Sequence, residues 1–325
     1  MQIIRETSYI GQAELSSVVT VGNFDGVHLG HQALLRRVVE RARETGATAA
    51  VLTFDPHPTH VLAPERAPKL LTTLPEKLRL IEAAGIDLVW VRPFTRELSA
   101  MSPAEFFEDA LVRGLRASAI VVGPNFRFGH RQAGDVNTLA ELGRSAGCEV
   151  EIMEALRLRG QMVSSSRVRE LAELGRVHQA GRLLGRPFSV SGSIVAGLGI
   201  GRAQTVPTLN LAPLDPRFPR QLPKTGVYVT YTRVAGASHQ SVANVGRKPT
   251  FGEHELTVES FLLDYRDGRI EAEEMQIDFL HRLRDERKFP DAAALKTQIM
   301  RDVQRSLAFF RRLRAIQESI STGAL

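Results

Sequence analysis

The chain has 325 residues, 43% of them hydrophobic and 24% charged, a globular composition too long for one core to organise, so two domains are expected. Lys+Arg 42 against Asp+Glu 36 gives a net charge of +6, which suits anionic partners, and the single cysteine, Cys148, excludes an intramolecular disulfide and fits a reducing, cytoplasmic setting. The opening residues hold no basic segment leading into an apolar core and no apolar run is long enough for a bilayer, so neither a secretory leader nor a membrane partner is expected.

Ser17-Val18-Val19-Thr20-Val21 is a β-branched run that reads as a buried strand. Val21-Gly22-Asn23-Phe24-Asp25-Gly26-Val27-His28-Leu29-Gly30-His31 follows it, and Leu34, Leu35, Val38 and Val39 then recur at helical spacing. The stretch therefore sits where a strand ends and a helix begins. Glycines there allow a tight turn and close ligand approach, and a helix N-terminus favours phosphate. His28 and His31, three residues apart, can face one ligand and stabilise charge on a transferring phosphoryl group. No further Cys or His stands nearby at zinc-site spacing. The motif resembles the first signature of the HxGH nucleotidyltransferases, and its Phe-Asp-Gly-Val-His version resembles the bacterial bifunctional riboflavin kinase/FAD synthetases. The resemblance implies a catalytic role for His28 and His31, and ATP or flavin binding by Gly22, Phe24, Asp25 and Gly26.

Ala49 to Phe54 reads as a second strand, ended by Asp55-Pro56-His57-Pro58. By composition His57 either lines a pocket at a strand end or belongs to a proline-stiffened exit loop; the resemblance favours the pocket. Leu74-Pro75-Glu76 opens a helix through about Ala84, and Asp87 to Val91 reads as a third strand. Ser102-Pro103-Ala104-Glu105 starts another helix with Ser as its N-cap, and Phe106, Phe107 and Leu111 give its buried face. Ala119 to Gly123 is a fourth strand, followed by Pro124-Asn125-Phe126-Arg127-Phe128-Gly129. Asn125 and Arg127, beside two aromatics, suit a flat ring, while core packing is the commoner fate of such phenylalanines. The family has a similar segment beside its flavin pocket, which implies binding by Asn125. Strands alternating with helices imply a parallel, Rossmann-like sheet. Val163-Ser164-Ser165-Ser166-Arg167-Val168-Arg169 leads into a short helix. It resembles the second nucleotidyltransferase signature, with Ser164, Ser165 and Ser166 on ATP phosphates and Arg169 on the catalytic arginine; ordinary helix capping is the alternative.

Arg186-Pro187 breaks the pattern, so the boundary is expected there: an FMN adenylyltransferase domain over 1–186 and a riboflavin kinase domain over 187–325. Ser189 to Val195, Gly226 to Val234, Gln240 to Val245 and Leu256 to Asp264 read as strands of a small antiparallel barrel. A long C-terminal helix carries Leu295, Ile299, Val303 and Leu307 at four-residue spacing. Gly197 to Asn210 holds alternating glycines that suit an anion nest, and it resembles the riboflavin kinase segment Gly-Arg-x-Leu-Gly-x-Pro-Thr-x-Asn. That implies phosphate binding by Gly199, Gly201 and Arg202, with Thr208 and Asn210 holding Mg²⁺ and ATP. Glu259 falls on the family's catalytic base. Gln204 and Thr205 replace Leu and Gly of the pattern, and Phe261 stands where His is usual.

The expected protein phosphorylates riboflavin with ATP and then adenylylates the FMN to FAD, with a chain of weakened kinase activity as the alternative. A reading from another class is RNA binding by Arg301, Arg305, Arg311, Arg312 and Arg314 of the last helix. An apolar stripe with interspersed arginines favours a docking helix with one solvated face, so no nucleic-acid partner is expected.

Overall fold

In a computed structural model, residues 1–6, 16–195, 208–250, 253–265, 270 and 272–321 are described. The chain divides into two compact units, Met1–Ser165 and Ser166–Leu325. The helices immediately after Ser165 fall on the second side of this division, ahead of the change in sequence texture at Arg186-Pro187.

The first unit is built on a six-stranded sheet, β1 (Gln2–Ile4), β2 (Ser17–Val21), β3 (Thr48–Asp55), β4 (Leu88–Pro93), β5 (Ala117–Val122) and β6 (Glu149–Ile152), in the order β1-β4-β3-β2-β5-β6. Every pairing is parallel, so both faces need cover and the strands read as apolar runs. Alternation along the strands splits the core in two. Val18, Val51, Val89 and Val121 face α1 (Leu29–Thr45) and α2 (Leu74–Ala83) through Leu35, Val38, Leu78 and Ile81. Val19, Leu52, Trp90 and Ile120 pack on Phe106, Phe107 and Leu111 of α3 (Pro103–Phe106) and the π-helical turn that continues it over Phe107–Gly114. Ser102 caps α3 in a reciprocal capping box with Glu105, as its sequence predicts. Helix α4 (Val136–Ala146) completes this face. The chain builds outward from β2 in both directions, so the carboxyl end of β2 lies at the switch point, where open α/β sheets bind ligands.

The second unit begins with α5 (Ser165–Glu173, its first residue shared with the first unit) and α6 (Val177–Leu184). A closed barrel follows, made of β7 (Phe188–Val195), β8 (Thr208–Leu211), β9 (Gly226–Val234), β10 (Ala237–Thr250), β11 (Glu253–Leu262) and β12 (Glu274–Arg284), ordered β8-β11-β10-β9-β12-β7. All pairings are antiparallel, and closure removes exposed sheet edges. Two strands go beyond those read from sequence: β8, only four residues long, and β12, whose Met275, Ile277 and Phe279 alternate clearly. The hydroxyls of Thr230, Ser241, Thr232 and Ser260 form a fully buried chain with spacings of 2.8, 2.9 and 2.6 Å, each satisfying the next.

The C-terminal helix α7 (Ala292–Ser321) docks differently from its apolar spacing. Leu295, Ile299, Val303 and Leu307 are only half-buried, and the fully buried row is Gln298, Asp302, Ser306 and Phe310. The reason is a buried ion pair: Arg284 of β12 grips the Asp302 carboxylate at 2.9 and 2.7 Å, and Gln298 donates to the same carboxylate at 2.8 Å. Phe310 against Tyr231 and Phe309 stacked on His281 complete the contact, with centroids 5.1 and 5.6 Å apart. Removing one partner of a buried pair strands the other charge. Asp302→Ala is therefore expected to lower the stability of the barrel unit by about 3–5 kcal/mol in chemical denaturation. The paired change Arg284→Met with Asp302→Leu is expected to recover most of that loss.

Candidate functional site

The turn joining β2 to α1 holds an unusual density of backbone constraints. Phe24 has φ 49°, Gly26 φ 81° and Val27 φ 38°; for the β-branched Val27 this costs about 1–3 kcal/mol. The Asp25 carboxylate offsets that strain. It is 5% exposed and accepts hydrogen bonds from the backbone N–H of Leu71 and of Thr72, each at 3.0 Å, and from the Thr72 hydroxyl at 3.2 Å. Thr72 Oγ1 in turn accepts from Gly26 N–H at 3.1 Å. The Asp25 carboxylate is thus turned into the protein, where it fixes the turn. Gly22 likewise serves packing, because a Cβ there would meet the Phe24 ring at 3.2 Å, and Phe24 itself is buried.

His28 is the N-cap of α1, and its Nδ1 accepts from His31 N–H at 3.2 Å. An imidazole nitrogen that accepts carries no proton, so Nε2 is the donor of neutral His28. The two imidazoles stack with centroids 3.7 Å apart and planes within 15°, and Phe24 meets His31 edge-on at 5.1 Å. Gly30 makes this possible: a Cβ at that position would sit 3.2 Å from the His28 ring. The glycine of His-x-Gly-His thus makes room for the histidine two residues before it. The His31 imidazole lies well below its ordinary value of 6.5, first because burial disfavours the cation, then through His28 and Lys77. Two imidazoles stacked at a helix N-terminus form a hydrogen-bonding platform for an anion.

The second motif is brought onto the first. Ser165 Oγ donates to Asp25 O at 2.8 Å, and Val163 O lies 3.7 Å from where a Gly30 Cβ would stand. Ser164 is half-buried and Ser166 exposed, and Arg169 follows on α5, half-buried. His57 caps a short helix, Pro58–Leu62, beyond the end of β3, with Nδ1 2.6 Å from the Thr59 hydroxyl. Asn125 is exposed beyond β5. Of its aromatic neighbours, Phe128 is buried in the core and Phe126 stacks on it at 5.4 Å, the packing role their composition favours.

Sequence reasoning missed Lys77. This α2 lysine is 8% exposed, and its Nζ donates to Asn23 O at 3.2 Å, Thr53 Oγ1 at 3.1 Å and Phe54 O at 3.3 Å. The available signal was a charge beside Leu74, Leu78 and Ile81 on an apolar stripe.

In the barrel, strand register assembles a second group. Asn210 of β8 pairs with Glu259 of β11, which pairs on its other side with Asn244 of β10. Directly opposed residues share a face, so the three form one cross-strand row, on the face of β11 opposite the buried Ser260. Thr208 lies two residues from Asn210 on the same face, and its Oγ1 is buried with no hydrogen-bond partner among the described residues. The Glu286 carboxylate rests against Gly246 beside the Asn244 amide, in space that a Cβ would fill. Gly199, Gly201, Arg202, Gln204 and Thr205 lie outside the described residues. Asn244 joins the row through strand register.

The chain matches the FAD synthetase family over residues 11–167 and the riboflavin kinase family over residues 184–310. Among curated relatives, the bifunctional riboflavin kinase/FMN adenylyltransferase of Pseudomonas fluorescens is 36% identical, spanning 93% of this chain and 96% of its own. The Bacillus subtilis (strain 168) protein of the same name is 34% identical over 94% and 96%, and that of Escherichia coli K12 is 35% identical over 95% and 98%. A crystal structure described as a macrolide-efflux protein from Streptococcus pneumoniae superposes with a TM-score of 0.83 at 28% identity, covering 94% of this chain and 98% of that one. Among the described residues here, no helix is long and apolar enough to cross a membrane. A nucleotidyltransferase-type parallel sheet and a kinase-type barrel thus stand in one chain. It belongs to the bifunctional riboflavin kinase/FMN adenylyltransferase family.

The depressed His31 value has a thermodynamic consequence. The unfolded chain takes up a proton near the ordinary value of 6.5 that the folded state refuses. This contribution to stability is fully present above 6.5 and is lost as the pH falls from there toward the folded value. Stability of the first unit is expected to drop on acidification by up to about 1.4 kcal/mol per pH unit from this group. Denaturation curves for His31→Gln are expected to show a shallower slope over the same range.

Proposed function

We propose that the turn after β2, with the serines opening α5, is the FMN adenylyltransferase site, and that the β8–β11–β10 row is the riboflavin kinase site. The chain makes FMN from riboflavin and ATP, then FAD from FMN and a second ATP. The observation that carries the first assignment is the stacked His28–His31 pair at the head of a long helix, held by the His31 N–H. FMN presents an ionised phosphate, already a nucleophile, so the site need only position it and stabilise charge. The FMN phosphate oxygen attacks the ATP α-phosphorus, and pyrophosphate leaves with the electron pair of the broken P–O bond. His28 Nε2–H, His31 and Arg169 stabilise charge on the α-phosphate and the leaving group. Ser164, Ser165 and Ser166 with the α5 N-terminus hold the outer phosphates. His57 and Asn125 line the flavin and adenine side, and Asp25, Phe24 and Gly22 keep the turn in shape.

In the kinase, Glu259 accepts the proton of the riboflavin 5′-hydroxyl as that oxygen attacks the γ-phosphorus and ADP departs. Thr208 and Asn210 suit Mg²⁺: one offers a buried hydroxyl with no protein partner among the described residues, the other a buried amide oxygen, and Mg²⁺ prefers hard oxygens. Bound there, Mg²⁺ neutralises phosphate charge. Gly199, Gly201 and Arg202 are assigned to the ATP phosphates on the likeness of their segment alone. Both steps use small-molecule substrates, and one free thiol suits the cytoplasm.

His28→Ala with His31→Ala is expected to abolish FAD formation while riboflavin is still converted to FMN, followed by chromatography of the products. Loss of FMN formation in the folded double variant would contradict the division. Glu259→Gln is expected to reduce riboflavin phosphorylation by about two orders of magnitude and to leave adenylylation of supplied FMN intact. Near-normal kinase turnover would remove Glu259 from its role.

A further inference from the structure

We propose that Lys77 is a positioning residue for adenylyl transfer, fastening the turn that carries His28 and His31 to the carboxyl end of β3. The inference rests on the adenylyltransferase reading of that turn. All three protons of the Lys77 ammonium are used: one on Asn23 O at 3.2 Å, inside the turn, and two on Thr53 Oγ1 and Phe54 O at 3.1 and 3.3 Å, on β3. A buried ammonium is expensive, and a purely structural brace between two backbone segments needs no charge. Here the charge lies among the groups of the site. Asp25 of the turn and Asp55 at the end of β3 favour the cation, while burial lowers the lysine below its ordinary value. His31, and through it His28, faces the same charge from the head of α1.

The turn needs such a fastening. Phe24 and Val27 are held at positive φ on either side of Asp25, in a conformation the backbone leaves when released. Asp25 ties the middle of the turn to Leu71 and Thr72, just before α2. Lys77 ties its beginning, and Gln32 Nε2 holds its end by donating to Val27 O at 2.9 Å. With the Asn23 anchor cut, Phe24 relaxes first, and Phe24 is the ring against the edge of His31. An error of about 1 Å in reacting groups costs up to about a hundredfold in rate.

The test is Lys77→Met, which keeps the stem and removes the charge. The kcat for FMN adenylylation is expected to fall about tenfold to a hundredfold, with KM for ATP and FMN nearly unchanged and riboflavin phosphorylation intact. In ring-labelled protein followed by NMR, the His31 titration is expected to move up, since a nearby cation is gone. Unchanged kcat in the folded variant overturns the proposal, as does a lower kcat with His31 titrating where it did before. Should Lys77→Met not fold, Thr53→Val removes one acceptor at constant shape and is expected to lower kcat several-fold; no change there overturns the proposal equally. His28→Ala is measured alongside. If adenylylation survives His28→Ala, the site assignment itself fails and this inference with it. If it is lost there but intact in Lys77→Met, only the role of Lys77 fails.

Discussion

The Asp25 carboxylate, accepting from the Leu71 and Thr72 backbone and the Thr72 hydroxyl, is the constraint on which the first unit's site depends. A strand–helix turn that folds back under its own helix must pass through backbone conformations that L-residues disfavour. Such a turn persists only where its surroundings over-determine it. Asp25 supplies the central tie, and Ser165 of the second motif then docks on the Asp25 carbonyl. One residue therefore connects the segment before α2, the first motif and the second.

The two units solve phosphate chemistry in different ways. The open parallel sheet places loops and a helix N-terminus at one end, and the site proposed there centres on a histidine pair in which a single hydrogen bond from His31 N–H sets the tautomer of His28. Among the described residues, the barrel row contains no helix N-terminus. The site proposed there draws side chains from three adjacent strands aligned by register, backed by a buried chain of four hydroxyls. In both proposed sites the groups are already held in place, and preorganisation of that kind is where most of the catalytic advantage in phosphoryl and adenylyl transfer arises.

Much of this was legible in the sequence because the informative signals are local. His28, Gly30 and His31 lie within one turn, and the Gly30 requirement is visible as a spacing. Phe106, Phe107 and Leu111 follow helical periodicity, and Ser102 with Glu105 spells its own cap. What stayed hidden depends on partners far along the chain. The contacts of Lys77 are 54 and 24 residues away, so its burial reads only as an odd charge on an apolar stripe. The polar face of α7 looked like a solvated one, since Asp302 is buried only because Arg284 reaches it from β12. Strands β1 and β8 are too short for periodicity to register, and the Asn210–Glu259–Asn244 row follows from a register that closure of the barrel sets.

The most direct test of the account is a crystal structure of the full chain with FMN and α,β-methylene ATP, whose bridging carbon blocks cleavage between the α- and β-phosphates. The α-phosphate is expected within hydrogen-bonding distance of His28 Nε2 and His31, at the head of α1, with the FMN phosphate beside it. An α-phosphate seated away from both imidazoles, with the helix N-terminus bare, would contradict it.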